Sequence, residues 1–291
     1  MTRTSEWEQL PHKFSHVSDT VRLHYVDTGA PASDDSVPVV LLHGWPDFSF
    51  AWRHQLSPLS AKYRIIVPDM RGFGQSSAPS EASAYGSKNV TSDLAKLLDV
   101  LGIEEAVFIG HDWGATMSWR MCLYYPECVA AVCSVDIPYF PPSDHCTDID
   151  ALVKVMPQFS YLKLLGDSEA TAQQLSNAPR RFFDAVFHHT AEIPSDLARI
   201  IENVENGDDA WYTAPSTLLS SEELEYYHPA LYIATTRSSG DDPAQQQMMA
   251  GIVQMIPKLK TTIVHEAGHW VLWEKKEVIT ATLLEWLAQI N

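Results

Sequence analysis

The feature that most restricts this chain is the stretch Val107-Phe108-Ile109-Gly110-His111-Asp112-Trp113-Gly114-Ala115. A short run of β-branched and aromatic residues reads as a buried strand. It enters a Gly-x-Asp-x-Gly turn, and a helix leaves on the far side. Glycines flank a turn of this kind because strand and helix approach too closely for a side chain. The apex is Asp112, not the serine or cysteine of most such turns. A carboxylate attacking an ester or amide gives an anhydride. Attacking a saturated carbon, it gives an ordinary ester that water can cleave. The motif therefore points to opening a C–O or C–halogen bond at an sp3 carbon. The competing reading makes Asp112 only the N-cap of a tight strand–helix junction.

The surrounding chain sets this turn in an α/β frame. Residues 14–28 alternate as an antiparallel hairpin does. The continuous apolar run 37–42 reads as a strand covered on both faces, and 63–69 and 129–136 read as further buried strands. Between them, Val90, Leu94, Leu97, Leu98 and Leu101 recur at helical spacing and stop at Gly102. A second helix is expected from Thr116 to Tyr125, ended by Pro126. Alternation of this kind implies a mostly parallel sheet with helices on both faces. From residue 140 to about 224 the pattern changes to helical segments rich in aromatics, which reads as an inserted helical lid. Strand and helix signals then resume at 230–235, 243–256, 261–264 and 277–290. The expected organisation is a core of 1–139 and 225–291 around a lid of 140–224.

Composition narrows the function classes. The 291 residues carry 20 basic against 37 acidic side chains, a net charge of −17, which disfavours nucleic acid and anionic membranes as partners. No apolar leader opens the chain and no stretch approaches the ~20 apolar residues of a membrane span, so a cytoplasmic location is expected. Four cysteines without metal-like spacing read as free thiols, three of them in an apolar region.

Four motifs occur in order: His43-Gly44-Trp45-Pro46, Asp69-x-Arg71-Gly72-x-Gly74-x-Ser76, Gly110-His111-Asp112-Trp113-Gly114 and Gly268-His269-Trp270. Together they resemble the α/β-hydrolase superfamily, and within it the epoxide hydrolases and their dehalogenase relatives, over residues 14–291. The resemblance implies a cofactor-free enzyme with Asp112 as nucleophile and His269 as the base that activates water against the ester. It places the oxyanion hole at the main-chain N–H groups of Trp45 and Trp113, where each donor is worth ~3 kcal/mol. It matches Tyr161 and Tyr212 to the lid tyrosines that polarise an epoxide oxygen, although the residues following each depart from the usual pattern. His43, His188 and Trp211 are expected to line the pocket.

The triad acid stays open. The commonest epoxide hydrolases carry it after the strand corresponding to 231–235, where Ser238 stands here. Asp136, which ends the strand after the elbow helix, is favoured, because a carboxylate closing an apolar strand needs a partner such as imidazolium. Asp241 or Asp242 is the alternative. The stretch His265-Glu266-Ala267-Gly268-His269 also matches a zinc-protease motif, which requires both histidines on one helical face. The preceding β-branched run and Gly268 argue against a helix, so no metal is expected. An apolar epoxide is the expected ligand. A haloalkane or haloacid dehalogenase is the alternative, with fluoroacetate disfavoured because Trp113 replaces the expected arginine. A ligand-binding or biosynthetic member of the fold is the third reading, and the oligomeric state is left open.

Overall fold

The computed structural model describes residues 3–30, 36–140, 148–167, 169–187, 200–201, 205, 262, 264–265 and 267–290. The chain divides into two compact units, Met1–Ile137 with Lys276–Asn291, and Pro138–Lys275.

In the first unit the strands are β1 (His12–His16), β2 (Arg22–Asp27), β3 (Val39–Leu42), β4 (Ile65–Pro68), β5 (Ala106–His111) and β6 (Val129–Val135). They form one sheet in the order β1-β2-β4-β3-β5-β6. The two pairings that involve β2 are antiparallel, and the other three are parallel. Every residue of β3 and β5 is buried, as their unbroken apolar runs require of central strands. Six of the seven residues of β6 are only half-buried. That differs from the expectation of a buried strand, and β6 is the last strand of the described sheet. The stretches expected to continue the sheet are 230–235, outside the described residues, and 261–264, of which Thr262 and Val264 are described and lie in irregular backbone. The helix expected over 243–256 is also outside them.

The helices of this unit are α1 (Arg3–Glu8), α2 (Arg53–Ser60), α3 (Ser87–Leu101) and α4 (Trp113–Tyr124). Helix α3 ends where the sequence says it should. Gly102 takes the left-handed conformation (φ 65°) and its N–H closes on the carbonyls of Leu98 and Asp99. Helix α4 begins three residues earlier than expected, because Trp-Gly-Ala carries little helical signal of its own. Leu94, Leu97 and Leu98 of α3 meet Met117 and Met121 of α4 over Leu42 and Phe108 of the sheet. Buried Arg71 holds both carboxylate oxygens of Asp93 on α3 at 2.6 Å, fixing the loop after β4.

The described part of the second unit is helical through α5 (Ile149–Val155), α6 (Tyr161–Asp167), α7 (Glu169–Asn177), α8 (Pro179–Val186) and the short α9 (Val271–Glu274). A last helix, α10 (Lys276–Leu287), returns to the first unit and packs on α2. Among the described residues no helix is long and apolar enough to cross a membrane. Cys122, Cys128 and Cys133 are free thiols and half-buried, and burial pushes the Cys133 thiol up to about 12. Cys146 is outside the described residues.

Two buried carboxylates in the first unit give the fold an acid limit. Burial alone would raise the Asp27 carboxyl. Hydrogen bonds from Arg64, Lys13 and the Gly29 N–H overcome this and bring it to about 2. Asp69 is likewise held below the usual range against the cost of burial, by His24 and the N–H groups of Ser49 and Gln75. A carboxylate depressed on folding stabilises fully above its unfolded value, and that stability is lost as pH falls through the folded one. The shift at Asp27 corresponds to about 2 kcal/mol, and about 1 after discounting for solvent at the Lys13 and Arg64 partners. Urea unfolding from pH 7 down to pH 2 should show Asp27→Asn less stable than wild type at neutral pH, with the two converging between pH 4 and 2. A difference that stays constant over that range would overturn this assignment.

Candidate active site

Strand β5 delivers His111, and the chain reverses within one residue. Asp112 has φ 54° and ψ −123°, a conformation most side chains avoid, and α4 starts at the next residue. The flanking glycines are needed for contact between main chains. A Cβ on Gly110 would overlap the carbonyl of Gly114, and a Cβ on Gly114 would overlap the carbonyl of Leu42 in β3. Asp112 does occupy the N-cap position of α4, but its side chain makes no capping bond. Its Oδ1 accepts a hydrogen bond from the main-chain N–H of Trp45 at 2.9 Å. The capping reading is thereby set aside in favour of a carboxylate turned toward the Gly44–Trp45 turn.

That turn is braced from below. Gly44 has no room for a side chain, since its Cβ would overlap the Asp112 carboxylate. His43 is fully buried, which lowers its pKa and keeps it neutral. The protonated Nδ1 donates to the Gly44 carbonyl (2.8 Å), so Nε2 accepts from the Met70 N–H (3.0 Å). His43 was expected to line the pocket. With both ring nitrogens taken by main chain, it acts as a strut between the turn and the end of β4. Asp69 is a second strut. Its Oδ1 accepts from the Ser49 N–H at 2.9 Å, while Oδ2 takes His24 (2.7 Å) and the Gln75 N–H (2.9 Å). A Cβ on Gly74 would collide with this carboxylate, and Ser76 Oγ donates to the Asp69 carbonyl at 2.6 Å. The second sequence motif is thus a support for the turn that touches Asp112.

His24 and His12 behind Asp69 were missed by sequence reasoning. His24 Nε2 and His12 Nδ1 are 2.9 Å apart, and His12 Nε2 donates to the Trp7 carbonyl at 2.8 Å. The alternation of β1 and β2 could have marked these histidines only as strand positions.

Asp136 follows β6 with φ 73°. Strand register pairs His111 with Val135, so Asp112 and Asp136 each come one residue after a matched pair on adjacent parallel strands. The Asp112 N–H also reaches the Val135 carbonyl at 3.4 Å. Both carboxylates therefore stand at the carboxyl edge of the sheet, where open α/β sheets bind their ligands. Trp113, the first residue of α4, is half-buried against the core. Its indole N–H has no hydrogen-bond partner among the described residues.

His269 and Tyr161 belong to the second unit. Tyr161 opens α6 and is fully buried. His269 is 3% exposed and precedes α9. His265, Ala267, Gly268, His269 and Trp270 are all outside helices, so His265 and His269 do not share the helical face a zinc-protease motif needs. Tyr212, Trp211, His188, Asp241 and Asp242 lie outside the described residues.

A sequence model of the alpha/beta hydrolase fold matches residues 37–276, and the chain belongs to that family. Among known proteins it is similar to bifunctional epoxide hydrolase 2 of Sus scrofa, at 30% identity over 96% of this chain. The chain spans about half, 55%, of that relative's length. It is also similar to epoxide hydrolase A of Mycobacterium tuberculosis, at 28% identity over 93% of this chain and 95% of that one. Among solved structures, epoxide hydrolase A from Mycobacterium thermoresistibile aligns with a TM-score of 0.77 and 27% identity, over 96% of this chain and 98% of that one.

Proposed function

We propose that this chain is a cofactor-free epoxide hydrolase that opens an epoxide to a vicinal diol through an ester on Asp112. One observation carries the reading: the Trp45 N–H already rests on Asp112 Oδ1 at 2.9 Å. With Oδ1 so held, we assign attack on the epoxide carbon to Oδ2. Oδ1 then becomes the ester carbonyl oxygen, with an oxyanion donor in place before the charge develops. In the first step the C–O bond of the epoxide breaks and its oxygen takes a proton from Tyr161 or Tyr212. In the second, His269 removes a proton from water, and the hydroxide adds to the ester carbonyl. The Trp45 and Trp113 amides hold the tetrahedral oxyanion. Its collapse expels the diol as an alkoxide, which takes the proton back from the imidazolium, and the proton left on the Asp112 carboxyl returns to the tyrosinate of the first step. Asp136 orients His269 and balances its charge. A small apolar epoxide fits this scheme, and the free thiols at Cys122, Cys128 and Cys133 support a reducing, cytoplasmic location.

A haloalkane or haloacid dehalogenase with the same nucleophile is the second reading, favoured by the indole N–H of Trp113, a donor that a departing halide would accept. Offering epoxides, haloalkanes and haloacids side by side separates the two by diol or halide release. With His269→Gln, the peptide containing Asp112 should gain the full mass of the epoxide. A single wild-type turnover in H2-18O should give unlabelled diol and put the label in the Asp112 carboxylate. Labelled diol at the first turnover would mean direct attack by water and would end the proposal.

A further inference from the structure

The base-bearing loop has an anchor that the reaction scheme does not use. Gly268 and Trp270 flank His269, and both are tied down. The Gly268 N–H donates to Glu274 Oε2 at 2.9 Å, within the turn into α9. The indole Nε1–H of Trp270 reaches 84 residues back along the chain to the carbonyl of Val186, also at 2.9 Å. Val186 is the last residue of α8. Its carbonyl is one of the four that a helix end leaves unsatisfied, and it sits at the negative pole of the helix dipole. An N–H donor aimed there gains on both counts.

Packing makes the joint rigid. The Phe187 ring, fully buried, lies 4.6 Å from that of Trp270 and 5.0 Å from that of Trp273, and the two indoles stack at 5.2 Å. On its other side Trp270 meets the His269 imidazole edge to face, at 4.6 Å and 77°. A loop residue ordinarily gains its freedom from solvent and from weak contacts. His269 has neither, being 3% exposed and bracketed by two tethers, one from the Gly268 N–H and one from the Trp270 indole.

We infer that Trp270 is a positioning residue for His269, and that its indole N–H fixes the aim of the imidazole by docking the loop on the carboxyl end of α8. The inference rests on the reading of His269 as the base of an ester-hydrolysing step. It assigns Trp270 to the second half-reaction alone, since Asp112 is alkylated without the base. A misplacement of about 1 Å in a reacting group costs up to about 100-fold.

Trp270→Phe keeps an aromatic ring against Phe187 and Trp273 and deletes the N–H together with the second ring of the indole; packing lost in this way belongs to the structural outcome that the two rates separate below. The test is rapid quench of the full-length protein with an epoxide, following the mass of the Asp112 peptide. The expected result is an unchanged rate of ester formation and a fall of about 10- to 100-fold in its hydrolysis, so that ester accumulates in the variant. The amplitude of ester formation counts the folded molecules, so partial misfolding lowers the amplitude and not the ratio of the two rates. A purely structural role would slow both steps alike, and that outcome overturns the inference, as does hydrolysis at the wild-type rate. Absence of any ester on Asp112 in the wild type and in His269→Gln would overturn the epoxide hydrolase reading itself, and this inference with it.

Discussion

Asp112→Gly should lose turnover by on the order of 10⁴-fold or more while the protein becomes harder to unfold. The two effects share one cause. Asp112 is held at φ 54° and ψ −123°, and a non-glycine residue in so sparse a region costs about 1–3 kcal/mol. It is also fully buried, so its carboxylate gives up water for the hydrogen bond to the Trp45 N–H. Glycine adopts the same backbone without strain and removes the buried charge. Against this stand the extra freedom of glycine in the unfolded chain, about 1 kcal/mol, and the lost bond to Trp45. The balance should favour the variant by about 1 kcal/mol, read as a higher urea midpoint at unchanged slope. Gain of stability with loss of turnover is the mark of strain kept for function. A variant that is both inactive and less stable would show that the strain is small and that Asp112 serves the fold.

The parts legible in the sequence were those whose cause is local. β3 and β5 are buried on both faces, so their residues are apolar without alternation. α3 repeats its leucines at helical spacing and is closed by a left-handed glycine. The elbow was legible because two glycines and an acid within five residues have few other uses. Where several neighbours share the work, the sequence said less. α2 escaped notice because Pro58 sits within it and its burial depends on α10, more than 200 residues away. The half-burial of β6 depends on what lies beside it, which its own apolar residues do not reveal. In the candidate site, His43 reads as a pocket residue from its motif. Its two hydrogen bonds to Gly44 and Met70 are what reveal a strut. The bond from Trp270 to Val186 joins segments that no short motif spans. The acid proposed to partner His269 could be narrowed but not chosen from composition, since three aspartates met the same electrostatic need. The shared register of Asp112 and Asp136 on β5 and β6 is what supports Asp136.

Helix propensity and packing make opposite predictions at Gly114, and their magnitudes decide between them. Glycine is the second residue of α4, and alanine is the better helix former by about 1 kcal/mol, so propensity alone says that Gly114→Ala stabilises. The structure puts the new methyl group into the carbonyl of Leu42, with the carbonyl of His43 beside it. Neither atom belongs to a side chain that can turn away. Leu42 is fully buried in β3 and is paired in register with Gly110, the other glycine of the elbow. Relief therefore requires α4 to lift from the sheet, which pulls Met117 and Met121 out of the core they fill with Phe108 and Leu94. Forcing a methyl group into a close-packed backbone contact, with loss of that packing, belongs with the most damaging single substitutions, at about 4 kcal/mol or more. That is a large part of the 5–15 kcal/mol typical of a domain, so the variant should be marginally folded at best. Ser118→Ala, one turn further along α4, is the control. It deletes only a back-bond from Ser118 Oγ to the Gly114 carbonyl and should cost about 1 kcal/mol or less. Urea midpoints of the two variants side by side decide the matter. If Gly114→Ala proves no less stable than Ser118→Ala, then strand and helix are not in main-chain contact at the elbow, and the geometry that presents Asp112 must be redrawn.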